Sequence, residues 1–311
     1  MIHNKSVTIL LAAYRGAAYA GAQIESVLSQ DSDDWFLILS DDGEETAEVL
    51  EHYAKRYPEK IMHHRSGKRF GSAQKHFMYL LAEFGGEAPY TMFADQDDVW
   101  HADKLSRTLA AMKKAEDGSG QPLLVHTDLR VVDESLKEIA PSFMSFSRID
   151  GNRKAFHELI VQNTVTGCTM MINRPLVDIV QRAAAESDMM MHDWWAALCA
   201  AAFGKIIYLP EATMDYRQHG SNTVGAKKAG SLRYMLSRLG QNARKLRDDT
   251  IRQTNAFLRL YENELGEKEK ETARAFAGMS GQSKWRRLRT MASHHFWKNT
   301  LTRRAGQIIF W

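Results

Sequence analysis

The chain has 311 residues, 44% hydrophobic and 25% charged, a globular composition with enough length to bury a large core. Its formal charge of +3 conceals a split: residues 1–226 carry 22 Lys+Arg against 31 Asp+Glu, while residues 227–311 carry 19 against 7, with no acidic residue from Thr272 to Trp311. Six prolines, 20 glycines and no internal repeat exclude fibrous and low-complexity structure, and no run approaches the ~20 apolar residues of a membrane span. The two cysteines, Cys168 and Cys199, lie in apolar stretches and are read as buried free thiols in a reducing cytoplasm.

The first hundred residues alternate strand and helix. Ser6–Leu11 is a continuous apolar run, as a parallel strand covered on both faces requires. It reads as a first strand rather than a signal-peptide core, because helix and strand patterns follow it. Ala20, Ile24, Val27 and Leu28 recur at helical spacing, and Trp35–Leu39 forms a second strand ending in Ser40-Asp41-Asp42-Gly43. Val49, Leu50 and Tyr53 mark another helix, and Ile61–His64 a short strand. Phe77, Leu80, Leu81 and Phe84 form a helical stripe, and Tyr90–Ala94 a strand ending in Asp95-Gln96-Asp97-Asp98. Leu105, Thr108, Leu109 and Met112 give the next helix, and Leu123–Val132 a further strand.

Beyond residue 133 the pattern loosens. Strands are expected at Thr166–Ile172, Lys205–Leu209 and Thr213–Arg217, and helices at Pro175–Ala185 and His192–Phe203. After Gly225 the pattern is helical, with a stripe at Leu232, Met235, Leu236 and Leu239. Polar and glycine-rich breaks near 225–230 and 278–283 divide a body, 1–226, from a basic helical region, 227–311.

Repeated strand–helix–strand units imply an α/β fold with a mostly parallel sheet and helices on both faces. Ligands bind such sheets beyond the carboxyl ends of the strands, where this topology brings Asp41-Asp42 and Asp95–Asp98 together. Three carboxylates within four residues repel one another unless a cation or strong donors neutralise them. Asp95 and Asp97 alternate to the same side of an extended chain, and hard oxygen ligands suit Mg²⁺ or Mn²⁺. A solvated acidic turn with Asp98 capping the next helix is the competing reading.

The order of motifs carries a resemblance. Ile9-Leu10-Leu11-Ala12-Ala13-Tyr14, then Val27-Leu28-Ser29-Gln30, Asp34-Trp35 and Ser40-Asp41-Asp42-Gly43 resemble the N-terminal half of glycosyltransferase family 2. Phe93-Ala94-Asp95-Gln96-Asp97-Asp98-Val99-Trp100 with Asp103-Lys104-Leu105 resembles that family's DxD segment in its bacterial rhamnosyltransferase-like branch. Thr166-Gly167-Cys168-Thr169, His192-Asp193-Trp194-Trp195 and Tyr216-Arg217-Gln218-His219-Gly220-Ser221-Asn222 are similar to later motifs of the branch. The resemblance spans roughly residues 5–225 and rests on the ensemble.

The resemblance implies a GT-A fold, Rossmann-like, followed here by a C-terminal helical extension. It implies inverting transfer of a sugar from a nucleotide-sugar donor, such as dTDP-L-rhamnose, to a glycan or lipid-linked acceptor in bacterial surface polysaccharide assembly. Ala12 and Tyr14 would line the base and ribose pocket, Asp42 would accept from a pyrimidine N3–H, and Asp41 would support that turn. Lys75, Asp95, Gln96 and Arg217 fall on the donor side. Asp97, with Asp95 and His219, would bind Mn²⁺ or Mg²⁺. Asp193 would be the catalytic base, with His192 its rival, and Trp100, Trp194 and Trp195 would form apolar walls on the acceptor side. An apolar wall would raise the Asp193 pKa toward useful basicity.

A sugar-1-phosphate nucleotidyltransferase would need a Gly-rich N-terminal loop with a downstream Arg and Lys, which residues 11–22 lack. A non-catalytic anion- or nucleic-acid-binding protein would not need Asp97 and Asp193 together. In the basic region Trp285, Phe296, Trp297, Phe310 and Trp311 interleave with Lys284, Arg286, Arg287, Arg289, Lys298, Arg303 and Arg304. This mixture suits the inner face of an anionic membrane. Nucleic-acid binding, docking on the acidic body and homo-oligomerisation are the other readings. A lipid-linked acceptor favours the membrane and a cytoplasmic, peripheral location.

Overall fold

The computed structural model describes residues 4–219 and 232–311, with side chains from 242 onward in the second segment. The break near 225–230 and the stripe from Leu232 to Leu239 lie outside the described side chains.

The N-terminal half builds the expected units. β1 (Val7–Ala13) is followed by α1 (Ala17–Leu28), β2 (Trp35–Asp41), α2 (Ala47–Arg56), β3 (Ile61–His63), α3 (Ala73–Phe84) and β4 (Tyr90–Asp95). A two-residue β5 (Val99–Trp100), α4 (Lys104–Ala115), β6 (Leu123–Val132) and β7 (Glu138–Ala140) come next. All seven residues of β1 are buried, because its two faces serve two cores. Ile9, Leu11 and Ala13 join the cluster under α1, α2 and α4, whereas Leu10 and Ala12 join the cluster under α3.

Short helices α5 (Phe143–Phe146) and α6 (Phe156–Leu159) lead to β8 (Met170–Asn173), α7 (Arg174–Val180), α8 (His192–Phe203) and β9 (Lys205–Arg217). The sheet order is β3-β2-β1-β4-β8-β6-β9-β5, with β7 on β6. The first four strands are parallel, and β6 and β9 are parallel. β8 runs antiparallel to both β4 and β6, so the sheet is mixed beyond β4.

Three elements differ from expectation. The predicted strand Thr166–Ile172 begins as a 3₁₀ turn at Gly167–Thr169, and extended backbone starts only at Met170. Thr169 closes that turn through its N–H and its hydroxyl, both donating to Thr166 O. The predicted helix Pro175–Ala185 stops at Val180 and continues as a 3₁₀ turn over Gln181–Ala183. The two strands expected at 205–217 are one strand of 13 residues. Its pairing with β6 skips from Thr127↔Leu209 to Asp128↔Ala212. Pro210 lies in that gap and has no N–H for the ladder, so the interruption is a bulge rather than a chain break.

The basic region forms α9 (Leu232–Tyr261), α10 (Glu267–Ala277), α11 (Lys284–Ser293) and α12 (Leu301–Phe310). Ile251, Phe257, Tyr261, Phe276, Phe296 and Trp311 enter the same core cluster as Phe156 and Trp195 of the body. Phe296 and Trp311 are thus core residues, not surface aromatics, and Arg287 Nε donates to Trp311 O at 2.6 Å.

Gly204 joins α8 to β9. A Cβ there would lie 1.8 Å from Pro122 O, while Lys205 N donates to that same carbonyl at 3.0 Å. Gly204→Ala is expected to destabilise the fold by about 1–3 kcal/mol, read by chemical denaturation.

Candidate active site

The carboxyl ends of β1, β2 and β4 meet. Ala13 pairs with Asp41, and Ala12 with Asp95, so both acidic clusters reach one sheet edge as the topology predicts.

At the β2 end, Asp42 is buried, and its Oδ1 and Oδ2 accept from Phe70 N at 2.6 Å and Gly71 N at 2.7 Å. Gly71 has φ +71°, a left-handed conformation that suits glycine. The Phe70 ring stacks on His76 at 4.5 Å, and His76 Nε2 meets Ser40 Oγ at 2.9 Å. Burial lowers the His76 pKa to about 4, so this imidazole is neutral. Asp41 Oδ2 accepts from Thr46 N at 3.0 Å, and burial raises its pKa. Beside Asp41 opens a pocket of about 310 Å³, rimmed by His63, His64, Arg65, Lys68 and Arg69. Ala12 is buried, Tyr14 is 54% exposed beneath the Arg15 guanidinium, and Lys75 is exposed on the first turn of α3.

The β4 end is more heavily built. His219 Nε2 lies 2.7 Å from Asp97 Oδ2, and the His219 ring stacks on Tyr19 at 5.0 Å. Arg217 lies over the same Tyr19, donates from Nε to Asp97 O at 2.8 Å, and from its backbone N to Asp98 Oδ1 at 3.3 Å. Its guanidinium also donates to Glu134 O at 2.5 Å. The Gln96 side chain crosses Gly16 so closely that a Cβ there would lie 2.1 Å from Gln96 Cγ.

Asp98 does not cap α4. It is fully buried, and its Oδ2 has no partner among the described residues. Cys168 is the buried free thiol expected and belongs to the core cluster of β1, but its ligand atom and those of Asp95 and Asp98 also lie within 4.8 Å of one another. Burial, with the charges of Asp98 and Asp95, pushes its thiol pKa well up and keeps it protonated. Burial raises Asp95 to about 7, helped by the charges of Asp97 and then Asp193. Beneath them lies Lys104, fully buried, with Nζ 3.3 Å from Thr213 Oγ1 and 4.9 Å from the Trp100 ring centroid. Burial lowers its pKa to about 8 against the opposing pull of Cys168 and Asp98. A lysine in the first turn of an amphipathic helix reads as solvated, and only the packing reveals it as a buried counter-charge.

Asp193 stands in the first turn of α8. Its Oδ2 accepts from Gly167 N at 3.0 Å, and its Oδ1 from Trp194 N at 2.5 Å and Asn163 Nδ2 at 3.2 Å. Burial raises its pKa to about 6, outweighing these donors, which favour the ionised form. The 3₁₀ turn at Gly167 exists where this carboxylate needs an N–H. Asn163 carried no motif and was not legible as a partner.

Four residues assigned from the resemblance occupy other places. His192, the rival base, is buried between Phe77 and Phe93, its ring nitrogens without partners among the described residues, and burial lowers its pKa to about 3. Trp195 is fully buried, with Nε1 donating to Tyr261 OH at 3.3 Å. Trp194 is 7% exposed and donates to Leu159 O at 2.6 Å, and Trp100 is 3% exposed in the core. None of the three tryptophans offers an open wall to a sugar, because their rings complete the two cores.

Among the described residues, the ligand atoms that converge at the β4 end are those of Asp95, Asp98 and Cys168, whose two carboxylates offer the hard oxygens a divalent ion takes, while Asp97 and His219 are paired with each other next to them.

The family model for glycosyl transferase family 2 matches residues 8–179. The chain belongs to that family. It is a glycosyltransferase, and the family decides against the nucleotidyltransferase and non-catalytic readings. This family 2 chain is 26% identical to the dTDP-rhamnosyl transferase RfbG of Shigella flexneri over 239 residues, 74% of the chain and 78% of that protein. It is 25% identical over 224 residues to an uncharacterized glycosyltransferase of Nostoc, covering 70% and 66%. Solved structures share the GT-A fold. S. aureus TarS 1–349 in complex with UDP-GlcNAc superposes with a TM-score of 0.55 at 13% identity, covering 92% of this chain and 72% of that one. The mannosyltransferase PcManGT from Pyrobaculum calidifontis, in complex with GDP-Man and Mn²⁺, gives 0.55 at 15% identity, covering 93% and 73%.

Proposed function

We propose that this glycosyltransferase performs inverting transfer of a hexosyl group from a nucleotide-sugar donor to a hydroxyl of a glycan or lipid-linked acceptor, in bacterial surface polysaccharide assembly. The observation that carries the reading is Asp193. It is a carboxylate on a helix start, held by three donors, and near enough to Asp95 for its charge to help raise that group's pKa.

Asp193 would take the proton from the acceptor hydroxyl as its oxygen bonds to the anomeric carbon. The bond from that carbon to the nucleoside diphosphate breaks on the opposite face, and one displacement inverts the centre. Asp97, Asp95 and His219 would hold Mn²⁺ or Mg²⁺, which when bound stabilises charge on the leaving diphosphate. Arg217, engaged with Asp97 O and Glu134 O, positions the acidic loop. Asp41 lines the pocket for the base, where Arg65, Lys68 and Arg69 add cationic side chains, and Asp42 would accept from the base beside it. Ala12, Tyr14, Gln96 and Lys75 complete the donor side.

The rhamnosyl relative makes dTDP-L-rhamnose the first donor to test. A thermal-shift screen of nucleotide sugars with Mn²⁺ is expected to give a selective stabilisation by one dTDP-sugar. Equal response to all nucleotides, or none, overturns the donor assignment.

A further inference from the structure

The helix α12 faces the opposite way from a solvated helix. Its inward residues are polar. Arg303 donates to Ser147 O at 2.8 Å and Arg148 O at 2.9 Å, and Arg304 Nε to Lys298 O at 3.0 Å. Gln307 is 1% exposed and bridges Phe296 O and Lys298 N. The outward residues are apolar: Leu301, Ala305, Ile308 and Ile309, with Leu301 at 80%, Ile308 at 46% and Ile309 at 58% exposure. Their spacing of i, i+4, i+7 and i+8 places them on one stripe.

Two neighbours extend it. Trp285 on α11 is 81% exposed, and the adjoining Lys284 Nζ donates to Ile309 O at 2.9 Å. Phe146 is 54% exposed beside Ser147 and Arg148, whose carbonyls Arg303 grips. A contiguous exposed apolar face of this kind marks a protein or membrane contact.

Charge and shape choose between them. Lys284, Arg286, Arg289 and Arg148 are exposed around the stripe, and among the described residues none has an Asp or Glu partner. No acidic residue occurs from Thr272 to Trp311. A two-fold contact between copies would set this positive face against itself. Nucleic acid stacks on rows of aromatic planes, whereas here Trp285 and Phe146 flank a central stripe of Leu301, Ile308 and Ile309 that is aliphatic. Aliphatic side chains with a flanking Trp and a cationic rim suit acyl chains, headgroups and lipid phosphates in turn.

We infer that α12 and the Trp285 end of α11 form the surface by which the chain lies on an anionic phospholipid bilayer, with Ile308 and Ile309 entering the acyl boundary. The inference does not rest on the donor-site reading.

Flotation of the full chain with phosphatidylcholine vesicles, with and without phosphatidylglycerol, tests it. The chain is expected to bind the anionic vesicles in a salt-sensitive manner. The exposed substitutions Trp285→Ser, Ile308→Ser and Ile309→Ser together should weaken partitioning at least roughly tenfold. Arg286→Gln with Arg289→Gln should weaken it roughly tenfold or more and flatten the salt dependence. Both variants should keep the wild-type melting temperature and donor turnover, since the altered side chains touch neither core nor site. Loss of donor turnover in the wild type would count against the glycosyl-transfer reading alone. Unchanged flotation of the apolar variant, or no binding of the wild type, overturns the proposal. So does a dimer, or an RNA complex, that the apolar substitutions abolish without any vesicle binding.

Discussion

Asp193→Asn is expected to lower the transfer rate by about 10²–10⁴-fold, the usual contribution of a positioned general base, while donor affinity stays within a factor of two or so. Asparagine keeps the size and one acceptor oxygen, but its NH2 then faces either Gly167 N or the Trp194 N and Asn163 Nδ2 donors, so the melting temperature is measured beside the rate. The variant separates chemistry from binding: kcat falls and the donor KM does not. The wild-type pH profile provides a second readout. Burial raises the Asp193 pKa to about 6, so the base is ionised above that pH and neutralised below it. Transfer should fall as pH drops through about 6, and the acidic limb of the Asn variant should be shallower than that of the wild type. A variant with normal turnover removes Asp193 from the base role; because Asp95 also has a raised pKa, of about 7, the limb is assigned to Asp193 only by comparing the two profiles.

Asp97→Ala is expected to weaken Mn²⁺-dependent donor binding by roughly 10–100-fold or more, measured by calorimetry with and without the ion. The physical reason is twofold. Asp97 supplies a carboxylate oxygen 2.7 Å from His219 Nε2, and its backbone carbonyl anchors Arg217. Removing the side chain takes away the oxygen and releases the imidazole, but leaves the Arg217 contact to Asp97 O. Residual metal-independent nucleotide binding should therefore persist at the pocket beside Asp41. Unchanged Mn²⁺ dependence would exclude Asp97 as a ligand.

Much of the candidate site was legible because its parts are local. Asp41-Asp42 and Asp95–Asp98 each end a strand, and the rule for parallel sheets brings such ends together. Asp193 was legible as a helix-start carboxylate, and a raised pKa was anticipated, although the burial that raises it does not come from an open tryptophan wall. What failed depended on distant packing. Trp100, Trp194 and Trp195 are expected on the acceptor side from the resemblance, yet they are 3%, 7% and 0% exposed, buried by packing made far along the chain. His192 is the rival to Asp193 in the sequence, and its ring packs against Phe77 and Phe93. Lys104 carries no role in the sequence reading beyond its motif, yet it is buried close to the carboxylates.

The charge split shows the same division. Sequence alone determined the order of strands and helices through their periods, the identity of the acidic motifs, and the excess of cations without acids after Thr272. It could not tell which basic-region aromatics face inward, since Phe296, Trp311 and Trp285 share one composition and one neighbourhood. Tertiary structure decided that, because orientation follows from contacts made far along the chain. Phe296 and Trp311 fill a core begun by Phe156 and Trp195, while Arg303 turns α12 by gripping Ser147 O. Burial is a property of the assembled surface, and a residue's own type sets only the cost or gain of being placed there.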